Sequence, residues 1–273
     1  MNSSGWRSDF AGSPYFAGLH DIAGHFTHLL QWPEIDDLNH VAASLDRRNA
    51  IDLPLRFEVQ EMKCGQRDYE AGIHASARVP TRRHNWHDFF NALIWLAWPR
   101  TKAALNAAQT HALADCQPGR RGGLSDATTL FDESGLVLVS PDAELPSLLS
   151  ARRWREAFWT RRQAWRAARV YVFGHSLLEK SLCRQPGITG KCLHVQARVS
   201  EDANALPGWL DRHVAQAWAE GHVTAPKQLF PLPLQGLPGF DPANGEASYY
   251  DDTRVFRPMR EGSLMPTSAG GST

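Results

Sequence analysis

The stretch N-W-H-D-F-F-N-A-L-I-W, from Asn85 to Trp95, decides how this chain is read. Placed at about 100° per residue on a helix, Trp86, Phe89, Phe90, Leu93, Ile94, Leu96 and Ala97 fill a wide apolar arc. His87, Asp88, Asn91, Trp95 and Trp98 share the narrower remainder. A helix that is apolar nearly all round is buried nearly all round, so its polar stripe must meet water, a partner side chain or a ligand. Asn85 is a good N-cap, and Asp88 sits where a carboxylate can bond back to the cap. His87 and Asn91 lie four apart on one face and have no such local role, which makes them candidate catalytic residues.

Downstream, Pro99 starts a new helix or kinks the old one, and Lys102, Asn106 and Gln109 recur on one side of an alanine-rich segment. That side is expected to be solvated. Upstream, a helix is expected over Gly18–Leu30 and another from Pro33, where Ile35, Leu38, Val41 and Leu45 recur at helical spacing. Leu53 to Gln60 alternates as a strand does, and Ala71 to Thr81 reads as extended. T-T-L-F-D-E-S-G-L-V-L-V-S reads as a hairpin, with Asp132 and Glu133 serving its turn.

The second half begins with a long helix over Ser147–Ala168, then a short strand at Val170–Phe173. Gly174 turns that strand into a helix from His175 to Leu182. A further helix spans Trp209–Glu220, stopped by Gly221. P-L-P-L-Q-G-L-P-G-F is too proline-rich for a helix or a central strand and is expected to lie extended over the surface. The pattern predicts an α+β fold: a helix-rich single domain with short antiparallel hairpins, covering residues 14–258. Residues 1–13 and 259–273, rich in Gly, Ser and Thr, are expected to be disordered tails.

Composition narrows the function classes. Lys plus Arg (29) balances Asp plus Glu (29), so no global charge draws nucleic acid or a membrane surface. The longest apolar run, Ala92 to Trp98, falls far short of the roughly 20 residues a bilayer span needs. The start of the chain lacks the order of a secretory signal. Four cysteines without a C-x-x-C pair suit reduced thiols in the cytoplasm; Cys192 with His194 is a weak metal signal.

Chemistry is concentrated in two more segments. In V-Y-V-F-G-H-S-L-L-E-K, His175 and Glu179 are four apart, so one helical face presents an imidazole and a carboxylate. That pair can ligate a divalent metal or perform acid–base work. G-H-S-L-L lacks the second glycine of a nucleophile elbow, so Ser176 is set aside. Between Ser147 and Arg169, Arg155, Arg162 and Arg166 gather on one arc beside Trp154, Phe158 and Trp165, a face suited to an anionic ligand. Two functions follow as expectations. One is a metal-assisted hydrolase of a phosphate-containing substrate, with His87 and Asn91 facing His175 and Glu179. The other is a non-catalytic protein that binds nucleic acid or an acidic partner through the arginine-rich helix of residues 147–169.

N-W-H-D-F-F-N-A-L-I-W, P-R-T-K-A-A-L-N, F-D-E-S-G, F-G-H-S-L-L-E-K and Y-Y-D-D-T-R-V-F-R-P occur in that order. Together they resemble an uncharacterised bacterial family common in proteobacteria, the domain-of-unknown-function family 3025. The likeness runs from about Phe16 to Arg260, with Trp98 standing where phenylalanine is the family's usual residue. The resemblance implies a soluble bacterial protein of one domain and carries no activity, substrate or catalytic residue with it.

Overall fold

The expected helix around His87 is present as the central element of a computed structural model that describes residues 5–62, 64–114, 122–183, 185–199 and 205–259. In chain order come α1 (His20–Gly24), α2 (Ile35–Ser44), β1 (Arg56–Val59), α3 (Gln66–Ser76) and β2 (Arg78–Thr81). Then follow α4 (Trp86–Ala97), α5 (Pro99–Ala114), α6 (Gly123–Ser134) and β3 (Gly135–Ser140). The remainder is α7 (Glu144–Ser150), β4 (Arg169–Val172), α8 (His175–Ser181), β5 (Thr189–Gln196), α9 (Gly208–Ala219) and β6 (Phe230–Pro233). This is a helix-rich α+β domain, as the sequence pattern predicts. No helix among the described residues is long and apolar enough to cross a membrane.

Four strands form one sheet in the order β4-β3-β5-β6, with β3 and β5 parallel and both outer strands antiparallel to their neighbours. The antiparallel partners are joined through intervening segments rather than tight turns. β1 and β2 form a separate parallel pair connected through α3. Every residue of β3 is buried, which fits a strand covered on both faces. α4 is buried from Asp88 to Leu96, and its flanks pack against α5, α8 and the N-terminal segment. Trp6 stacks on Trp86 with ring centroids 5.1 Å apart, and Phe10 is only 3% exposed. Residues 5–13 are therefore packed against the domain, not the tail expected from their composition. Nearly all of the other expected tail, from residue 260 on, lies outside the described residues.

The structure corrects five local expectations. T-T-L-F-D-E-S is the end of helix α6 and not half of a hairpin, so Asp132 and Glu133 occupy its last turn. Its buried face, Ser125, Ala127, Thr128 and Phe131, recurs at helical spacing, which outweighs the β propensity of threonine and phenylalanine. Gln66–Ser76 is helical, leaving only Arg78–Thr81 extended. The first helix is much shorter than Gly18–Leu30. The long helix over 147–168 breaks where Arg152 takes φ +55°, and short π and 3-10 turns follow. The proline-rich segment does not lie over the surface: it supplies β6, an edge strand where missing N–H donors are tolerated, and residues 232–237 are buried.

One backbone contact fixes the part of the fold that matters most for chemistry. The N–H groups of Phe173 and Gly174 both donate to Gly135 O, at 3.0 and 2.8 Å. A Cβ at Gly174 would lie 2.4 Å from Gly135 N, 2.4 Å from Ser134 Cα and 2.6 Å from Glu133 O. All three are atoms of the chain itself and cannot rotate aside. Gly174→Ala is expected to destabilise the protein by about 1–3 kcal/mol, the usual range for overpacking, read as a lowered urea midpoint with an unchanged m-value.

Candidate metal centre

His87 enters the site from the first turn of α4, whose N-terminus is capped as the sequence suggests: Asn85 Oδ1 accepts from Asp88 N at 3.1 Å. Asp88 does not complete a capping box. Its carboxylate turns to Arg82, taking the backbone N–H at 2.7 Å and the guanidinium at 2.9 and 2.7 Å. α8 packs against both α4 and α6, bringing His175 and Glu133 to the same place as His87.

His87 Nε2 and His175 Nε2 are 3.1 Å apart, with rings crossing at 81°. Glu133 Oε1 lies 3.6 Å from His175 Nε2 and 4.0 Å from His87 Nε2. Donors bound at about 2.0–2.2 Å around a tetrahedral ion stand about 3.3–3.6 Å from one another. The three atoms are thus close to the spacing that a single ion imposes. Among the described residues, His87, Glu133 and His175 form the group whose ligand atoms all fall within 4.8 Å.

The far nitrogens of both imidazoles face carboxylates. His87 Nδ1 donates to Glu179 Oε2 at 3.1 Å, since a carboxylate only accepts. This leaves His87 Nε2 as a lone pair. Without a cation, His175 must donate its Nε2–H to that lone pair, and its Nδ1 is then a bare acceptor. That buried Nδ1 has no hydrogen-bond partner. With a cation on both Nε2 atoms, His175 carries its proton on Nδ1, which faces Asp132 Oδ2 at 3.8 Å. Imidazole ligands backed by a carboxylate are the usual arrangement in metal sites.

Glu133 is prepared as an anion. Burial opposes its ionisation, but the neighbouring imidazoles, His175 foremost, and the hydrogen bond from Ser176 outweigh that and lower the carboxyl to about 2. Ser176, set aside as a nucleophile, donates to Glu133 Oε2 and positions it.

The site opens into a cavity of about 450 Å³, walled by α3, α4, α5 and α6. Asn91 lines it, but its polar atoms are taken: Oδ1 accepts from Lys102 Nζ at 2.8 Å and Nδ2 reaches Tyr69 Oη at 3.3 Å. Asn91 is a wall residue and not a ligand. Lys102, expected to be solvated, is 5% exposed and bonds Asp132 Oδ1 at 2.6 Å.

Of the predicted site residues, the structure brings together His87, His175 and Glu179 and places Asn91 next to them. It changes the expected metal pair: Glu179 meets His87 Nδ1 and not the ligand position, and Glu133 takes the place beside His175. The signal for Glu133 was the helical spacing of Ser125, Thr128 and Phe131, which carries α6 through D-E-S. The arginine arc is not part of the site. Arg155 pairs with Asp251 at 3.3 Å, and Arg162 donates to Asn244 O at 2.8 Å and lies over the Trp159 ring. Arg155, Arg162 and Arg166 line no part of this cavity, because the broken helix carries them elsewhere. Among the described residues Cys192 and His194 belong to no metal group either; His194 Nε2 is 3.2 Å from Ser140 O.

Glu179→Gln preserves the shape of the site but removes the charge behind His87. Zinc affinity measured by calorimetry is expected to fall about 10- to 100-fold, the usual loss when a carboxylate behind a ligating histidine is altered.

No curated protein and no solved structure matches the chain. A family model described as "Protein of unknown function (DUF3025)" matches residues 55–260, which include every residue of the centre, and the chain belongs to that family.

Proposed function

We propose that this protein is a metal-dependent hydrolase whose divalent ion is held by His87 Nε2, His175 Nε2 and Glu133. The observation that carries the reading is the meeting of two imidazole Nε2 atoms at 3.1 Å beside a carboxylate, each imidazole faced by an acid at its other nitrogen. Two histidines and one carboxylate leave a fourth position open, where hydrolytic zinc sites hold water. A bound divalent ion lowers the pKa of that water toward neutrality and polarises the bond to be cleaved.

The chain's own residues have separable parts in this scheme. Glu179 accepts from His87 Nδ1 and so leaves the His87 Nε2 lone pair for the ion, while Asp132 Oδ2, 3.8 Å from His175 Nδ1, is the acid toward which that nitrogen's proton would turn once a cation binds Nε2. Ser176 holds Glu133 in its rotamer. The same donor set also serves iron(II) oxygenases. The cavity wall includes Glu70 and the unpartnered Asn106 Oδ1, acceptors that support water as the second reactant. The arginines expected to grip a phosphate lie elsewhere, so the proposal does not extend to a phosphate substrate. Binding of nucleic acid or an acidic partner through residues 147–169 loses its continuous arginine face, and no contact favours it.

The test is an assay of metal-stripped protein, with zinc, manganese or iron(II) restored, against a panel of esters, amides and phosphoesters. Hydrolysis should return with metal and fall to background in His87→Ala, His175→Ala and Glu133→Gln, with circular dichroism unchanged. Failure to bind any of the three ions, or oxygen consumption with iron(II) in place of hydrolysis, would overturn the proposal.

A further inference from the structure

The cavity extends from the metal centre to a group of residues on α3, α5 and α6 whose acceptors outnumber their donors. Asn106, on α5, is 4% exposed. Its Nδ2 donates to Glu70 O at 2.9 Å and to Glu70 Oε2 at 2.7 Å, which uses both amide hydrogens and fixes the orientation of the group. Asn106 Oδ1 is therefore an acceptor, and it is buried with no partner. A buried acceptor left without a donor costs about 1–3 kcal/mol. Two carboxylates, Glu70 and Asp132, line the same part of the cavity. One ammonium, Lys102, answers them, and it is bonded to Asp132 and Asn91.

Charge tells the same story. Glu70 is pushed up to about 7, by burial first and by the Asp132 charge second, while Asn106, Lys102 and His175 pull it down. The groups facing it are Asp132 from α6, Lys102 from α5, His175 from α8 and its neighbour Tyr69 on α3; Asp88 of α4 is neutralised by Arg82. A proton supplies the positive charge this corner lacks. Tyr69 and Trp95 give the cavity aromatic walls, of the kind that accept an alkyl chain and an adjacent cation.

We propose that this corner is a recognition subsite for a primary ammonium group, held by Glu70, Asp132 and Asn106 Oδ1. The proposal rests on the hydrolase reading, to which it adds a substrate class: a molecule carrying a free amine and a hydrolysable bond. Among the described residues an anionic head group finds no unpaired cation in this corner, and a hydroxyl satisfies only part of the acceptor excess. An arriving ammonium takes the place of the proton on Glu70, so binding releases that proton. Affinity accordingly rises with pH up to about 7 and levels off above it.

The test uses the full chain, metal-free and zinc-loaded, titrated with n-butylammonium, n-butanol and butyrate and followed by NMR shifts of the cavity residues. Butylammonium should bind at least tenfold more tightly than either competitor. Its affinity should rise from about pH 5 to about pH 7. Glu70→Gln should abolish the preference while zinc affinity, measured by calorimetry, is kept. Equal or tighter binding of butanol or butyrate overturns the subsite, as does a preference that survives in Glu70→Gln. If that variant does not fold, the wild-type pH dependence decides, and a flat profile overturns it. Zinc binding without amine preference sinks this subsite alone, whereas amine preference without zinc binding sinks the hydrolase reading alone.

Discussion

A helix with aromatic residues on almost every side can be buried only if each of its few polar groups finds a partner, and α4 imposes that demand on everything around it. Asp88 is answered by Arg82, Asn91 by Lys102 and Tyr69, and His87 by Glu179 and His175. Arg82 follows β2, Tyr69 is on α3, Lys102 on α5, and Glu179 and His175 both on α8, so the requirement draws these elements around one helix. The polar cavity is a consequence of that convergence. Neutral chains of hydrogen bonds could satisfy such a stripe at less cost than charges do. Here most of the partners are charged or ionisable side chains, which are expensive to bury and useful for chemistry.

The wall behind the stripe shows how the cost is contained. Lys102 is almost wholly buried, yet it meets a carboxylate, an amide oxygen and the face of Trp95 at 5.2 Å. Gln109 and Gln66 tie α5 and α3 to the hydroxyls of α6, through Thr128, Thr129 and Ser125. These neutral bonds hold three helices in register around the charged groups. The network therefore joins the packing of the domain directly to the geometry of the candidate site.

Legibility in the sequence followed how local each cause was. The apolar arc and cap of α4, and the strand-glycine-helix run into α8, depend on neighbouring residues, and both were readable. The likeness to the family was readable too, from strings that span the same region. α6 was not, because threonines and phenylalanine before D-E-S-G give a hairpin-like composition; what decides is a helical face that buries Ser125, Ala127, Thr128 and Phe131. Reading that segment as a turn hid Glu133. The spacing of His175 and Glu179 was visible, but not that α4 would come between them and claim the carboxylate for His87. Lys102 looked solvated because an alanine-rich helix is usually exposed. Burial came from α3, α6 and α9 closing on it, which no local pattern encodes.

The close approach of Gly174 to the end of α6 has a consequence for which ion the centre would accept. Glu133 and His175 flank a contact made wholly by main-chain atoms, so the spacing of their backbones is fixed and only side-chain rotation is left to adjust the ligand atoms. An ion that demands a strict octahedron of oxygens would be poorly served by such a fixed frame of two nitrogens and one oxygen. Zinc, with no geometric preference of its own from d electrons, tolerates a frame it did not shape. The fixed backbone at a single glycine would thus bias the choice of metal.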